Sequence, residues 1–269
     1  MTNQESLNCN SRNGRRHNIV NSIGAWPRSF IGLLVVLSLG SGLLAFDDVD
    51  VVEGSGRAAT KKWAVTGTTE VWFASVGDLV ATAGDKDELR ISADDNILPL
   101  LEVSIKDGVL TLGIKPGSSF RTKTPIKYQL TIRKKLTRFG VIGSGNATID
   151  GSVVAENFDA RVSGSGDLAV RKAKYKTIAV TVSGSGNATA EGTAGRLTAA
   201  VDGSGDVNAS ELKVTDADVR INGSGDATVW VTKSLIGMVN GSGNLTYKGN
   251  PGAVQAQANG SGAIRALDR

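Results

Sequence analysis

The chain has 269 residues, 40% hydrophobic, 21% charged and only 5% aromatic, with 34 glycines and a formal net charge of +4. That length suits one elongated domain with a sizeable core. A single Cys9 and a single His17 exclude a disulfide framework and a Cys/His metal centre.

The first predicted element is the only long apolar run, residues 30–46, FIGLLVVLSLGSGLLAF. Arg12, Arg15, Arg16 and Arg28 precede it, and Asp47, Asp48 and Asp50 come after it. Basic region, apolar run and polar start together have the layout of a Sec-type signal. Residues 1–46 are therefore expected to be a signal peptide cleaved near Ala45. The alternative is an uncleaved single-pass anchor, which would be the only contact with a membrane. Either way the expected location is the periplasm, the cell surface or the medium. Without residues 1–45 the chain keeps 26 basic and 25 acidic residues, so the basic balance that would suggest a nucleic-acid partner disappears. Cys9 and His17 go with that segment, which leaves the exported part without a thiol nucleophile or an imidazole base.

Residues 50–138 read as irregular β structure. A first Gly-Ser-Gly, Gly54 to Gly56, opens the segment, and strand-like runs come next at 70–75, 79–83, 88–92, 101–105, 109–114 and 126–132. Gly84-Asp85, Asp94-Asp95-Asn96, Lys106-Asp107-Gly108 and Pro116-Gly117 separate them as turns. The expectation is a set of wider coils, or a small strand layer, capping the N-terminal end of the more regular segment from 139 to 269. Between Gly108 and Ile149 no acidic residue occurs, while Lys115, Arg121, Lys123, Lys127, Arg133, Lys134, Lys135 and Arg138 accumulate. This is either a solvated, edge-protecting face or a patch for anionic envelope polymers.

From 139 to 269 the chain is a repeat. Gly-Ser-Gly starts at Gly143, Gly164, Gly184, Gly203, Gly223, Gly241 and Gly260, with spacings of 21, 20, 19, 20, 18 and 19 residues. Two residues before each triplet stand Val141, Val162, Val182, Val201, Ile221, Val239 and Ala258; four after its first glycine stand Ala147, Leu168, Ala188, Val207, Ala227, Leu245 and Ile264. Apolar residues at even separations share one face of an extended chain. The prediction is an all-β right-handed parallel β-helix with coils of about 20 residues, each stacking on its neighbours. The triplet glycines fall on the inward parity and are read as a bend that has no room for side chains, where glycine allows close backbone approach and unusual backbone angles.

The opposite parity displays a polar stripe: Ser165, Ser185, Ser204 and Ser224 within the triplets, Asp202, Asn222 and Asn240 just before them, and Asp167, Asn187, Asp206, Asp226 and Asn244 just after. Three readings stay open. The stripe is a hydrogen-bonded structural ladder, a docking surface for a glycan or envelope polymer, or a cation site at Asp202, Asp206 and Asp226.

Taken together, the runs EGSGRAATKKW, EVWFASVGDLVATAGDKDELRISADDNIL, VSIKDGVLTLGI and YQLTIRKKLTRFGVIGSGNATIDG resemble the auto-transporter adhesin head GIN domain family, over about residues 50–269. The resemblance implies a right-handed parallel β-helix and brings no catalytic residues. An autotransporter also carries a membrane β-barrel, whose alternating strands are not found here.

No P-loop, nucleophile elbow or His-containing metal motif occurs, and no cofactor is implied. The function expected is an exported, non-catalytic surface module. A structural or envelope-stress protein without a ligand is the alternative, and a polysaccharide-active β-helix enzyme a further one.

Overall fold

The computed structural model describes residues 50–133 and 135–267, all within one compact unit. The signal or anchor reading of residues 1–46 therefore falls outside the described residues, as does Lys134.

Strands dominate. In chain order they are β1 (Val51–Glu53), β2 (Ala58–Ala64), β3 (Glu70–Phe73), β4 (Asp78–Ala83), β5 (Glu88–Asp94), β6 (Leu101–Lys106), β7 (Val109–Ile114), β8 (Ser119–Arg121), β9 (Lys127–Ile132), β10 (Leu136–Val141) and β11 (Asn146–Asp150). The long strands come next: β12 (Val154–Val162), β13 (Leu168–Val182), β14 (Ala188–Val201), β15 (Val207–Ile221) and β16 (Ala227–Val239), then β17 (Leu245–Lys248), β18 (Ala253–Ala258) and β19 (Ile264–Ala266). Single 3₁₀ turns occur at Leu98–Leu100 and Gly151–Val153. Among the described residues no helix is long and apolar enough to cross a membrane.

From β10 onward the coils stack in parallel and in sequence order. The run before each triplet pairs with the same run of the next coil, as in Val162↔Val182, Val182↔Val201, Val201↔Ile221 and Ile221↔Val239. The run after each triplet does the same, as in Ala147↔Leu168↔Ala188↔Val207↔Ala227↔Leu245. A third run, Ala173–Tyr175 with Gly192–Ala194, Leu212–Val214 and Trp230–Val231, completes the coil. Strict two-residue alternation puts one side chain per two residues inside. Val141, Val162, Val182, Val201, Ile221 and Val239 form a fully buried column. Burial of each such side chain contributes on the order of 1.5–3 kcal/mol. In the column after the triplet, Leu79, Ala147, Leu168 and Ala188 alternate large and small, so successive layers interdigitate.

The N-terminal part departs from sequence order. β3 and β4 form a coil that lies between two others: β7 and β9 pair with it on one side, β10 and β11 on the other, all in parallel. Antiparallel pairs β2–β5, β5–β9 and β6–β7 then cover that end. The strand runs read from sequence at 70–132 are all present, within a residue or three at their ends, whereas β1, β2 and β8 were not legible. In the last described coil, β18 is exposed throughout, including Val254, Ala256 and Ala258 of inward parity.

One buried carboxylate organises the cap. Asp94 accepts from the Gly56 N–H at 2.9 Å through Oδ1, and from Lys123 and Thr124 N–H at 2.8 and 3.2 Å through Oδ2. Burial works against its charge, but these backbone donors outweigh it and hold Asp94 below the usual carboxylate range. Asn96 accepts from the Ser55 N–H at 2.9 Å and donates to the Glu53 carbonyl at 2.8 Å. The opening Gly54-Ser55-Gly56 is thus the strap that Asp94–Asn96 clips down, not a coil corner.

Candidate functional site

The repeated corner is built from backbone outward. In four of the seven triplets, those opened by Gly164, Gly184, Gly203 and Gly223, the carbonyl of the first glycine points along the stacking axis and accepts two N–H groups from the next coil. Gly164 O takes Ser185 N at 3.1 Å and Gly186 N at 3.0 Å; Gly184 O takes Ser204 and Gly205, both at 3.1 Å; Gly203 O takes Ser224 at 3.0 Å and Gly225 at 3.2 Å. A Cβ on Gly205 would land on the Gly186 carbonyl, and one on Gly203 on that of Gly184. The glycines are therefore required by backbone stacked on backbone. Unusual angles are not the reason: among the seven triplets only Gly260, at φ 150°, has a positive φ. In the six triplets from Gly143 to Gly243 the second glycine is buried, the first half-buried and the serine between them exposed; in the last, Gly260 is exposed and Gly262 half-buried.

The residue after each triplet forms a ladder. Its Oδ1 accepts the backbone N–H of its counterpart one coil on: Asn146 from Asp167 (3.1 Å), Asp167 from Asn187 (2.8 Å), Asn187 from Asp206 (3.0 Å), Asp206 from Asp226 (2.7 Å), Asp226 from Asn244 (2.6 Å) and Asn244 from Ala263 (3.2 Å). Where Asn follows Asp its Nδ2 donates back as well, Asn187 to Asp167 at 3.0 Å and Asn244 to Asp226 at 3.1 Å. A shorter ladder runs just before the triplets, with Nδ2 of Asn222 on Asp202 (2.7 Å), Asn240 on Asn222 (3.0 Å) and Asn259 on Asn240 (3.0 Å).

All the predicted stripe residues thus come together in three parallel columns. Asp202, Asn222 and Asn240 flank one side of Ser165, Ser185, Ser204 and Ser224; Asp167, Asn187, Asp206, Asp226 and Asn244 flank the other. The inward atoms are committed to the ladders. Among the described residues no hydrogen bond uses Oγ of those four serines or Oδ2 of Asp167, Asp202, Asp206 or Asp226, and these face solvent. No group of three or more metal-ligating side chains occurs among the described residues.

Sequence reasoning missed the first rung. The pairing of Phe73 with Val141 and of Asp78 with Asn146 places Ser75-Val76-Gly77 where later coils have Gly-Ser-Gly. Asp78 accepts from Asn146 Nδ2 at 3.3 Å and starts the ladder. The trace was there, as Ser-x-Gly-Asp. Ser75 is not free to be glycine, because its buried Oγ shares a 2.7 Å hydrogen bond with the Tyr128 hydroxyl.

The arginines of the acid-free basic stretch are paired, whereas its Lys115, Lys123 and Lys127 are exposed and make no ion pair among the described residues. Carboxylates from other coils meet the arginines: Glu70 and Asp159 on Arg138, both at 2.9 Å, Asp87 on Arg133 at 3.2 Å, and Glu53 on Arg121 at 3.5 Å. Burial works against the Asp87 charge, yet the Arg133 backbone N–H and guanidinium outweigh it and hold that carboxyl below its ordinary range. Lys135 reaches the Ser152 carbonyl. A linear sequence shows the charges of one coil only, and the carboxylate partners lie 21 or more residues away.

A stack of parallel coils with a repeated Gly-Ser-Gly-Asn/Asp corner defines a β-solenoid surface module. The sequence profile of the family described as "Putative auto-transporter adhesin, head GIN domain" matches residues 69–251, and the chain belongs to that family. It is similar to the crystal structure of a putative adhesin from Bacteroides fragilis, with 26% identity and a TM-score of 0.75, over 80% of this chain and 100% of that one. A putative adhesin from Parabacteroides distasonis is also 26% identical, with a TM-score of 0.64 over 81% of this chain and 100% of the other. A putative lipid binding protein from the same organism shares the fold at 20% identity and a TM-score of 0.65, over 81% of this chain and all of the other. No curated protein matches the chain.

Proposed function

We propose that the protein is an exported, non-catalytic adhesion module that holds a glycan or envelope polymer along the Gly-Ser-Gly face. The observation that carries this reading is the division of labour at the corner. Oδ1 atoms and backbone lock the coils, while a serine hydroxyl and, at four positions, a second carboxylate oxygen are presented at the inter-strand spacing of about 4.8 Å. Individually weak contacts on such a column add by multivalency along a repetitive ligand. Family membership and the two adhesin-like structures at 26% identity support the surface role. The basic and apolar layout of residues 1–46 supports export.

The test is a glycan array probed with the full chain and with a Ser185→Val/Ser204→Val/Ser224→Val variant. Binding by the natural chain and its loss in the variant are expected. No binding to any envelope glycan would leave the ladder as a purely structural device. Release of reducing ends or unsaturated sugar from a bound polysaccharide would overturn the non-catalytic reading.

A further inference from the structure

The third run of the coil carries a column of a different kind. Lys174 pairs with Thr193, Thr193 with Lys213, Lys213 with Trp230 and Trp230 with Lys248. Lysines thus recur at every second coil, about 9.6 Å apart at the usual inter-strand spacing, with a hydroxyl and an indole between them. Trp230 fixes two of them, since Lys213 Nζ lies 5.6 Å and Lys248 Nζ 4.4 Å from its ring centroid. Lys248 is further held by Glu211 at 3.0 Å. Lys174 and Lys213 are exposed and make no ion pair among the described residues. This contrasts with Arg133 and Arg138, whose charges are met by carboxylates.

A groove of about 450 Å³ opens beside the column, lined by Lys172, Lys174, Glu191, Thr193 and Glu211 among others. Its shape comes from a bulge: Arg171 and Lys172 together oppose Glu191, because Val170 pairs with Ala190 and Ala173 with Gly192. Lys172 sits at φ 54°, a conformation a long side chain rarely adopts, and the bulge turns it to the groove. The next coil keeps the bend open with Gly192 at φ 123°, whose Cβ would strike the Ala173 carbonyl.

We infer that this column and groove are a second binding site, for a linear polysaccharide carrying one acidic group per disaccharide. Two sugar rings span about two coils, so one carboxylate or sulfate per disaccharide meets Lys174, Lys213 and Lys248 in turn. Thr193 and the groove's Lys172 contact the rings between. Cation–π contact with Trp230 pre-orders Lys213 and Lys248, which lowers the side-chain entropy lost on binding. Glu191 selects against denser polyanions, whose extra charges would face it, while Glu211 is engaged by Lys248.

The experiment titrates the full chain with hyaluronan, which has one carboxylate per disaccharide, and with neutral dextran. Hyaluronan is expected to bind, more weakly as salt rises, and dextran not to bind here. Lys174→Glu/Lys213→Glu should weaken hyaluronan at least tenfold. The Ser185→Val/Ser204→Val/Ser224→Val variant should leave it unchanged, which separates this site from the Gly-Ser-Gly face. Lys61→Glu/Lys62→Glu is the charge control, because Lys61 also lies over an indole, that of Trp63 at 5.1 Å, but outside the column. An equal loss in that control, no hyaluronan binding, or unchanged binding in the Lys174→Glu/Lys213→Glu variant would overturn the assignment.

Discussion

Replacing Gly205 by alanine adds one methyl group at the most crowded kind of position in the solenoid. Its Cβ would lie 2.9 Å from the Gly186 carbonyl carbon, with the carbonyl oxygen nearer still. Restoring ordinary non-bonded separations of about 3.5 Å needs a displacement on the order of 1 Å between two coils. Three hydrogen bonds cross that gap at this corner: Ser204 N and Gly205 N to Gly184 O, both 3.1 Å, and Asp206 N to Asn187 Oδ1 at 3.0 Å. At about 1 kcal/mol each, plus about 1–3 kcal/mol for overpacking, the substitution should cost about 4–6 kcal/mol. That is a large part of a typical stability of about 5–15 kcal/mol. Ser204→Ala removes an exposed hydroxyl without a protein partner and should stay within about 0.5 kcal/mol of the natural chain. Urea unfolding followed by both far-ultraviolet circular dichroism and tryptophan fluorescence measures the difference and tests for uncoupling of the coils. If Gly205→Ala unfolds within about 0.5 kcal/mol of the natural chain, backbone contact is not why the triplet is glycine.

Four further outcomes are expected. Burial lifts the Tyr128 hydroxyl to about 12, against a smaller opposing effect of Ser75, so the fold favours its neutral form; the stability this gives is complete below the unfolded value near 10 and is lost as pH rises from about 10 to 12. Tyr128→Phe should reduce that alkaline step in a pH series of melting curves, leaving the share of buried Tyr175, whose hydroxyl burial also raises, while lowering stability at pH 7 by stranding Ser75. Asp94 has a depressed folded value, so its contribution is present above the unfolded carboxylate range near 4 and is lost as pH falls through the folded value; Asp94→Asn should unfold more easily at pH 7 and lose part of the acid transition. Mass spectrometry of the envelope fraction should give a mature N-terminus near Phe46, and an intact Met1 would instead favour the anchor. Asp226→Asn should raise the unfolding free energy measured in urea at low salt by about a few tenths of a kcal/mol, as expected for relief of a like-charge cross-strand pair, and the gain should shrink at 1 M salt.

The regular coils were legible because two periods coincide in them. Alternation by two marks the inner face, and the return of Gly-Ser-Gly about every 20 residues marks the stacking, so Val182 over Val162 can be read directly from the chain. The cap was not legible in the same way. Its coil from Glu70 to Ala83 is sandwiched between segments that come 39 and 66 residues later, counted from Glu70 to Val109 and to Leu136, and nothing local encodes that order. Parity located the corner glycines, and close approach of backbone to backbone is the reason for them. The unusual angles also expected there are found in the triplets only at Gly260. In the basic stretch at 108–149 the pairing of Arg138 was invisible, because Glu70 and Asp159 reach it from neighbouring coils. Trp230 between two lysines was equally invisible, since Lys213 and Lys248 are brought to it only by stacking.

The ladder itself separates what the fold demands from what it leaves open. Each rung needs one acceptor, Oδ1, for a backbone N–H; asparagine and aspartate both supply it, the aspartates at the shorter distances, as charge-assisted acceptors do. An asparagine above an aspartate adds an Nδ2 bond, which is realised at Asn187 and Asn244. An aspartate above an aspartate forgoes that bond and sets two carboxylates at strand spacing, which is the arrangement at Asp206 and Asp226. Relief of that like-charge pair favours asparagine at position 226, and alanine suffices at 263, where only the backbone N–H is used. The same reasoning applies to the serines, whose hydroxyls hold nothing in the fold. Charge at 226 and hydroxyls along the triplets are the features of this face that packing does not explain. A gain in stability for Asp226→Asn, measured beside glycan binding by the same variant, would show that the carboxylate is kept against the interest of the fold; a loss would return it to the ladder.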